Sequence, residues 1–294
     1  MFQGSIPALV TPFSDDGAVD EAAYRDLVEW QIAEGSGALV ACGTTGEAAT
    51  LDFREHFHVV QLCVEQARGR VPVIAGAGSN DTRVAAVNLA AARDAGADAA
   101  LMVPPYYNRP SQEGVFRHFE ALAHGSPLPI ILYNVPGRTV TDILPATLVR
   151  VVRAFPSTFV GVKDASGVLA RVSEHRGALG PGFAQLSGND DLALAFNSMG
   201  GVGCISVTAN AAPRLCAEFQ AACQAGDYAQ ALEHQDRLYP LHAALFTDAS
   251  PGPVKHALTR VRPGFPPALR APMIRADDAS RAAVDAALRH AGLA

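Results

Sequence analysis

From Ile6 onward, short apolar runs alternate with longer amphipathic stretches at an interval of very roughly 25 to 30 residues, the length of a βα unit. Eight runs rich in Val, Ile, Leu or Ala and nearly free of charge predict strands at residues 6–10, 37–42, 71–75, 99–103, 129–133, 159–163, 184–187 and 203–207. Runs that are apolar on both faces suit parallel strands covered by helices. Between them, helix starts are marked by Asp20, Asp52, Asp81 and Ser111, all good N-cap residues. Apolar positions then recur at helical spacing, as with Tyr24, Leu27, Val28 and Ile32, or Val84, Val87, Leu89 and Ala91.

Eight βα units predict an α/β fold of the (β/α)8 TIM-barrel type. The rival, an open doubly wound sheet, lacks its glycine-rich dinucleotide turn after the first strand. The Gly76-Ala77-Gly78 turn follows the third strand and has Asp81 where the fingerprint needs its last glycine. Beyond the eighth strand only helical patterns remain, at 213–224, 228–245 and 279–291. The first is assigned to the eighth unit, which gives a barrel over residues 1–224 and a C-terminal helical extension over 225–294.

Composition adds exclusions. A net charge of −6 with acidic and basic residues interspersed offers no basic stripe for nucleic acid and no polybasic patch for a membrane. Cys42, Cys63, Cys204, Cys216 and Cys223 are an odd number with no Cys-x-x-Cys pair and no zinc spacing, so they are expected to be reduced, mostly buried and cytoplasmic. The N-terminus lacks a basic segment followed by an apolar core, and no apolar run reaches the roughly 18 residues of a membrane span. The histidines fall mainly in predicted helices, without a His-Glu-x-x-His motif, and are expected on helix surfaces.

Lysine usage points to chemistry. Only Lys163 and Lys255 are lysines; arginine supplies every other basic residue. Lys163 ends the sixth strand, and an amine, unlike a guanidinium, can become neutral in an apolar site and attack a carbonyl. Alternation along the strand predicts Phe159, Gly161 and Lys163 on one face, with the glycine leaving room beside the lysine, and Val160 and Val162 on the other. In a barrel of this type functional groups gather at the C-terminal strand ends. There the sequence places Thr11, then Gly43-Thr44-Thr45-Gly46-Glu47, Tyr106-Tyr107-Asn108, Tyr133-Asn134, Lys163-Asp164, Ser187-Gly188-Asn189 and Ser206. Tyr133, on the adjacent strand, is the nearest group to move protons during imine formation, and Thr44 could relay them. The glycine-flanked Thr44-Thr45 pair suits a small carboxylate. Each residue also has an ordinary role open to it: Tyr133 as a strand-end tyrosine, Thr44-Thr45 as a turn, and Tyr106-Tyr107 as surface packing or a subunit contact. No metal or cofactor is called for.

Four motifs carry a resemblance that runs nearly end to end: Gly43-Thr44-Thr45-Gly46-Glu47, Tyr133-Asn134-Val135-Pro136-Gly137-Arg138-Thr139, Gly161-Val162-Lys163-Asp164-Ala165-Ser166 and Ile205-Ser206-Val207-Thr208-Ala209-Asn210. Pro253-Val254-Lys255 also fits. The chain resembles the dihydrodipicolinate synthase family of Schiff-base, pyruvate-dependent aldolases, and Gly137-Arg138-Thr139 favours the synthases over sialic-acid lyases. The resemblance implies that Lys163 forms the imine with pyruvate, Tyr133 is the general acid and base, and Thr44 and Tyr107 complete a proton relay, with Tyr107 donated across a dimer interface. It further implies that Thr45 holds the pyruvate carboxylate, Ile205 lines the pyruvate site through its backbone, and Arg138 binds the carboxylate of aspartate semialdehyde. Family members are commonly homotetramers built as two tight dimers.

One departure bears on regulation. Lysine-inhibited members carry polar or acidic groups in a cleft near the dimer interface, where this chain has Ala48, Phe53 and Val84, although His56, Asn80 and Tyr106 match. Weak or absent lysine inhibition is expected. Two other activities remain open on the residues alone: a Schiff-base pyruvate aldolase acting on a sugar acid or another aldehyde, and a non-catalytic barrel that binds a keto acid.

Overall fold

Parallel strands β1 (Gly4–Pro7), β2 (Leu39–Ala41), β3 (Val73–Gly76), β4 (Ala99–Met102), β5 (Ile130–Asn134), β6 (Phe159–Asp164), β7 (Ala184–Ser187) and β8 (Gly203–Ser206) form one sheet. Its order is β1-β8-β7-β6-β5-β4-β3-β2 in a computed structural model that describes residues 2–126 and 128–294. The ring closes between β1 and β2 through a single parallel bridge, Ala8 to Val40, with Leu9 N–H donating to the Val40 carbonyl at 3.0 Å. This is the expected (β/α)8 barrel.

The helices follow as α1 (Glu21–Ala33), α2 (Phe53–Ala67), α3 (Thr82–Asp94), α4 (Gln112–Gly125), the single turn α5 (Pro136–Thr139), α6 (Pro145–Ala154), α7 (Ala170–Leu179), α8 (Ala193–Ser198) and α9 (Pro213–Ala225). After them come α10 (Tyr228–Ala244), α11 (Gly252–Val261) and α12 (Asp278–His290). All four N-caps read from the sequence are formed. Asp20 accepts from Ala23 N–H, Asp81 from Arg83 N–H and Ser111 from Gly114 N–H, while Asp52 builds a reciprocal capping box with Glu55. No helix among the described residues is long and apolar enough to cross a membrane.

Side chains alternate between two cores. Ile6, Val40, Ile74, Ala99, Leu101, Ile131, Tyr133, Leu186 and Ile205 fill the barrel interior. Ala100, Met102, Ile130, Leu132, Phe159 and Val162 face the surrounding helices. That pattern corrects the reading of β6. The ladder slips at its start: Ile130 pairs with Phe159, but Ile131 pairs with Gly161, so Val160 is an extra residue. The bulge puts Phe159 on the helix side, in edge-to-face contact with Phe119 of α4 at 6.0 Å, and leaves Val160 against the interior. Gly161 does not make room for Lys163. A methyl group there would stand 2.7 Å from the Ala184 carbonyl oxygen, so the glycine lets β7 approach.

Three histidines are likewise not on the surface. His118, His175 and His242 are at most 3% exposed. Their Nδ1 atoms lie 2.9 Å from Thr82 Oγ1, 3.3 Å from Gln185 Oε1 and 2.8 Å from Thr208 Oγ1. Burial pushes His118 down to about 4. The five cysteines are free and buried.

Candidate active site

β5 and β6 set Tyr133 directly beside Lys163. Both point into the barrel near its C-terminal mouth, at 7% and 6% exposure, and Lys163 Nζ lies 4.1 Å from the centre of the Tyr133 ring. An amine against an aromatic face, in an interior lined by Ile131, Leu186 and Ile205, is sheltered from water. Ile205, 1% exposed on β8, borders the same interior. Its strand end is fixed by the buried Asp190, which accepts from Ser206 Oγ and, at 2.9 Å, from Val207 N–H.

The hydroxyl pair sits on the loop after β2. Thr45 is buried at 5% exposure and Thr44 is exposed. Two non-glycine residues in the left-handed region, Cys42 at φ 53° and Glu47 at φ 54°, bracket this loop, and such backbone persists only where the surroundings hold it. Thr11 Oγ1 donates to the Gly46 carbonyl at 2.7 Å. Glu47 is held from the far end of the chain. Lys255 Nζ of α11 donates to its Oε1 at 2.6 Å, and Arg270 N–H donates to its Oε2 at 3.0 Å. The Glu47 and Lys255 side chains are each 1% exposed. Lys255 also donates to the Ala268 carbonyl at 2.7 Å and lies 4.4 Å from the Phe13 ring centre. Burial holds its ammonium below the ordinary lysine range, and the Glu47 carboxylate offsets part of that effect.

Arg138 is exposed on α5, at the rim. The segment around it is fastened by a chain of polar contacts that starts next to Tyr133. Asn134 Nδ2 donates to Asp142 Oδ1 at 2.8 Å, and its Oδ1 accepts from Ile143 N–H at 2.9 Å. Asp142 receives both terminal nitrogens of Arg171, at 2.7 and 2.6 Å, and these bonds keep its carboxyl below the usual range. Thr141 Oγ1 ties the segment to the Pro105 carbonyl at 2.7 Å, just before Tyr106-Tyr107. Tyr107 stands apart from the other named groups. At 89% exposure and φ 70°, its ring packs against almost nothing of its own chain.

The chain thus sets Lys163, Tyr133 and Ile205 at the barrel interior and buries Thr45 on the loop after β2, while Thr44, Arg138 and Tyr107 are exposed. The sequence reading gave Asp142 no role, and Glu47 and Lys255 only places in motifs. The available signal for Lys255 was its rarity, one of two lysines in an arginine-rich chain.

The sequence profile of the dihydrodipicolinate synthetase family matches residues 1–291. The chain belongs to the dihydrodipicolinate synthase family. Two curated relatives are each named 4-hydroxy-tetrahydrodipicolinate synthase. The protein of Rhizorhabdus wittichii is 66% identical over 294 residues, covering 100% of both chains. That of Novosphingobium aromaticivorans is 62% identical over 293 residues, covering 100% of this chain and 99% of its own. Among solved structures, the chloride-inhibited dihydrodipicolinate synthase of Acinetobacter baumannii, complexed with pyruvate, superposes with a TM-score of 0.96 at 43% identity and covers all of both chains. In this chain the two lysines occupy unlike surroundings, Lys163 against the Tyr133 ring and Lys255 sealed in an ion pair.

Proposed function

We propose that the chain is a 4-hydroxy-tetrahydrodipicolinate synthase that condenses pyruvate with L-aspartate 4-semialdehyde. The observation that carries this reading is the Lys163 amine 4.1 Å from the Tyr133 ring at the mouth of a family-typical barrel. Lys163 Nζ adds to the C2 carbonyl of pyruvate, and loss of water gives the imine. Tyr133, with Thr44 and a partner subunit's copy of Tyr107 as relay, supplies the proton that departs with the hydroxyl and then accepts one from C3, giving the enamine. Thr45 and the backbone near Ile205 hold the pyruvate carboxylate. The enamine C3 attacks the aldehyde carbon while Arg138 grips the second substrate's carboxylate, a task that suits a guanidinium fork. The substrate amine then adds to C2, the C2 to lysine bond breaks, and the ring leaves Lys163 as a free amine.

The proposal includes a homotetramer built as a dimer of dimers, which the family resemblance implies, with the 89% exposed Tyr107 received by a neighbouring subunit. It also includes a catalytic unit over residues 1–224 with the helical unit 225–294 attached, and a cytoplasmic setting, which five unpaired buried cysteines favour. The test has three parts. Borohydride added with pyruvate should add mass to Lys163, and an unmodified chain would leave only a keto-acid binder. A coupled assay with aspartate semialdehyde should register the heterocycle; turnover only with other aldehydes would move the chain to another aldolase activity. Arg138→Ala should raise KM for the semialdehyde roughly 10- to 100-fold without slowing pyruvate trapping.

A further inference from the structure

We infer that the buried Lys255–Glu47 ion pair is a positioning device that sets the Thr44-Thr45 loop for the keto-acid carboxylate. The inference rests on the reading of Lys163 as the imine-forming residue. Its starting point is an energetic mismatch. Taking both charges out of water is costly, and apolar residues of similar volume commonly serve stability as well or better. Yet the two side chains are 1% exposed, and each carboxylate oxygen of Glu47 is used, one by Lys255 Nζ at 2.6 Å and one by Arg270 N–H at 3.0 Å. What these bonds fix is the orientation of a residue whose backbone is in the left-handed region, two positions after Thr45. Glu47 N–H in turn donates to the Thr44 carbonyl at 3.1 Å, and Thr50 N–H and Oγ1 both donate to the Glu47 carbonyl at 3.0 Å. Turning Glu47 therefore turns the peptide that carries both hydroxyls.

The choice of lysine has its own reason. The ammonium must reach Glu47 and the Ala268 carbonyl while standing 4.4 Å from the Phe13 ring, and a compact cation on a flexible stem meets all three where a planar guanidinium would need more room. Both lysines of the chain thus serve the same mouth, Lys163 by reacting and Lys255 by holding the loop opposite.

The experiment compares pyruvate with pyruvamide, which keeps the ketone and lacks the carboxylate, in borohydride trapping on Lys163 across ligand concentrations. Imine formation releases water, and borohydride supplies the hydride that turns the imine into a secondary amine. Lys255→Met, and the double variant Glu47→Gln with Lys255→Met, should raise the pyruvate concentration for half-maximal trapping about 10- to 100-fold, the scale of losing a charge-assisted bond. The pyruvamide curve should move far less. The double variant leaves no unpaired buried charge, so it decides the matter if Lys255→Met alone does not fold. A folded double variant that keeps the wild-type preference for pyruvate, or one that weakens both ligands equally, overturns the inference and leaves the pair a structural contact. If wild-type protein is not trapped at all, the imine reading fails first and this inference falls with it.

Discussion

Lys163 Nζ faces the Tyr133 ring at 4.1 Å because β5 and β6 hold the two residues as register partners. A packed pair of this kind can lose one oxygen atom without losing its shape. Tyr133→Phe is therefore expected to lower turnover by about 100-fold or more, the usual scale of a missing general acid and base. The thermal midpoint should stay near that of the wild type, and borohydride trapping of pyruvate should still go to completion, only more slowly. Turnover within tenfold of the wild type would assign proton transfer elsewhere.

The exposure of Tyr107 leads to a test by mixing. If its phenol serves a neighbouring subunit, Tyr107→Phe and Lys163→Ala chains, each nearly inactive alone, should regain activity when their subunits exchange. A mixed dimer then holds one complete site, so recovery should approach about a quarter of the wild-type rate. Mixed dimers seen by native mass spectrometry with no recovery would return Tyr107 to a packing role.

Gly161→Ala should destabilise the barrel seam between β6 and β7. The added methyl would meet the Ala184 carbonyl oxygen at 2.7 Å and its Cβ at 3.0 Å, both part of or anchored to a paired strand that cannot swing away. A cost of about 1–3 kcal/mol, roughly 3–10 °C in thermal midpoint, is expected. An unchanged midpoint would mean that β7 yields freely.

Acid should act on the Glu55–Arg270 link. Arg270 donates to both carboxylate oxygens of Glu55 and holds the group down to about 2 from the usual 4.5. The folded pKa is depressed, so the stabilisation is fully present above about pH 5 and disappears as pH falls through 4.5 toward 2. Melting curves of wild type and Glu55→Gln should therefore differ most near neutral pH and converge near pH 2. A gap that stays constant with pH would show that the link contributes shape and not charge.

Free lysine should leave the rate nearly unchanged. Val84 on α3 and Phe53 at the start of α2 are about half exposed apolar side chains where a regulatory cleft would need groups to receive an α-ammonium. An ammonium brought there without a carboxylate loses more hydration than it regains. Half-maximal inhibition at micromolar lysine in the coupled assay would contradict this.

The sequence carried the strand count and the helix starts, because a strand covered on both sides must be apolar on both sides and a helix start must satisfy free N–H groups. It did not carry the strand limits. β1 was expected at 6–10 but lies at Gly4–Pro7, since its ladder partner β8 covers only Gly203–Ser206, while Ala8 and Leu9 turn to Val40 of β2 through one bridge and one further hydrogen bond. Nor could alternation reveal the bulge at Val160, which is a property of the pairing with β5. His118 was misread although the information was present: it stands three residues after Val115 and four before Leu122, on the buried stripe of α4. The strand-end places of Lys163, Tyr133 and Thr45 were legible because barrel geometry sends strand ends to one rim, whereas Ile205 entered only through the family resemblance. The partnership of Lys255 with Glu47 was not, because 208 positions separate them and no local pattern spans that distance.

That separation also governs when the site can exist. As the chain leaves the ribosome, β1 has no neighbour on its β8 side until Ser206 has emerged, and Glu47 has no counter-ion until Lys255 and Arg270 follow. A nascent chain can build individual βα units early, but the closed ring and the set loop both arrive late. Ribosome-bound chains stopped between those two points would hold a nearly whole barrel around Lys163 and still lack the grip that a completed protein has on its keto acid.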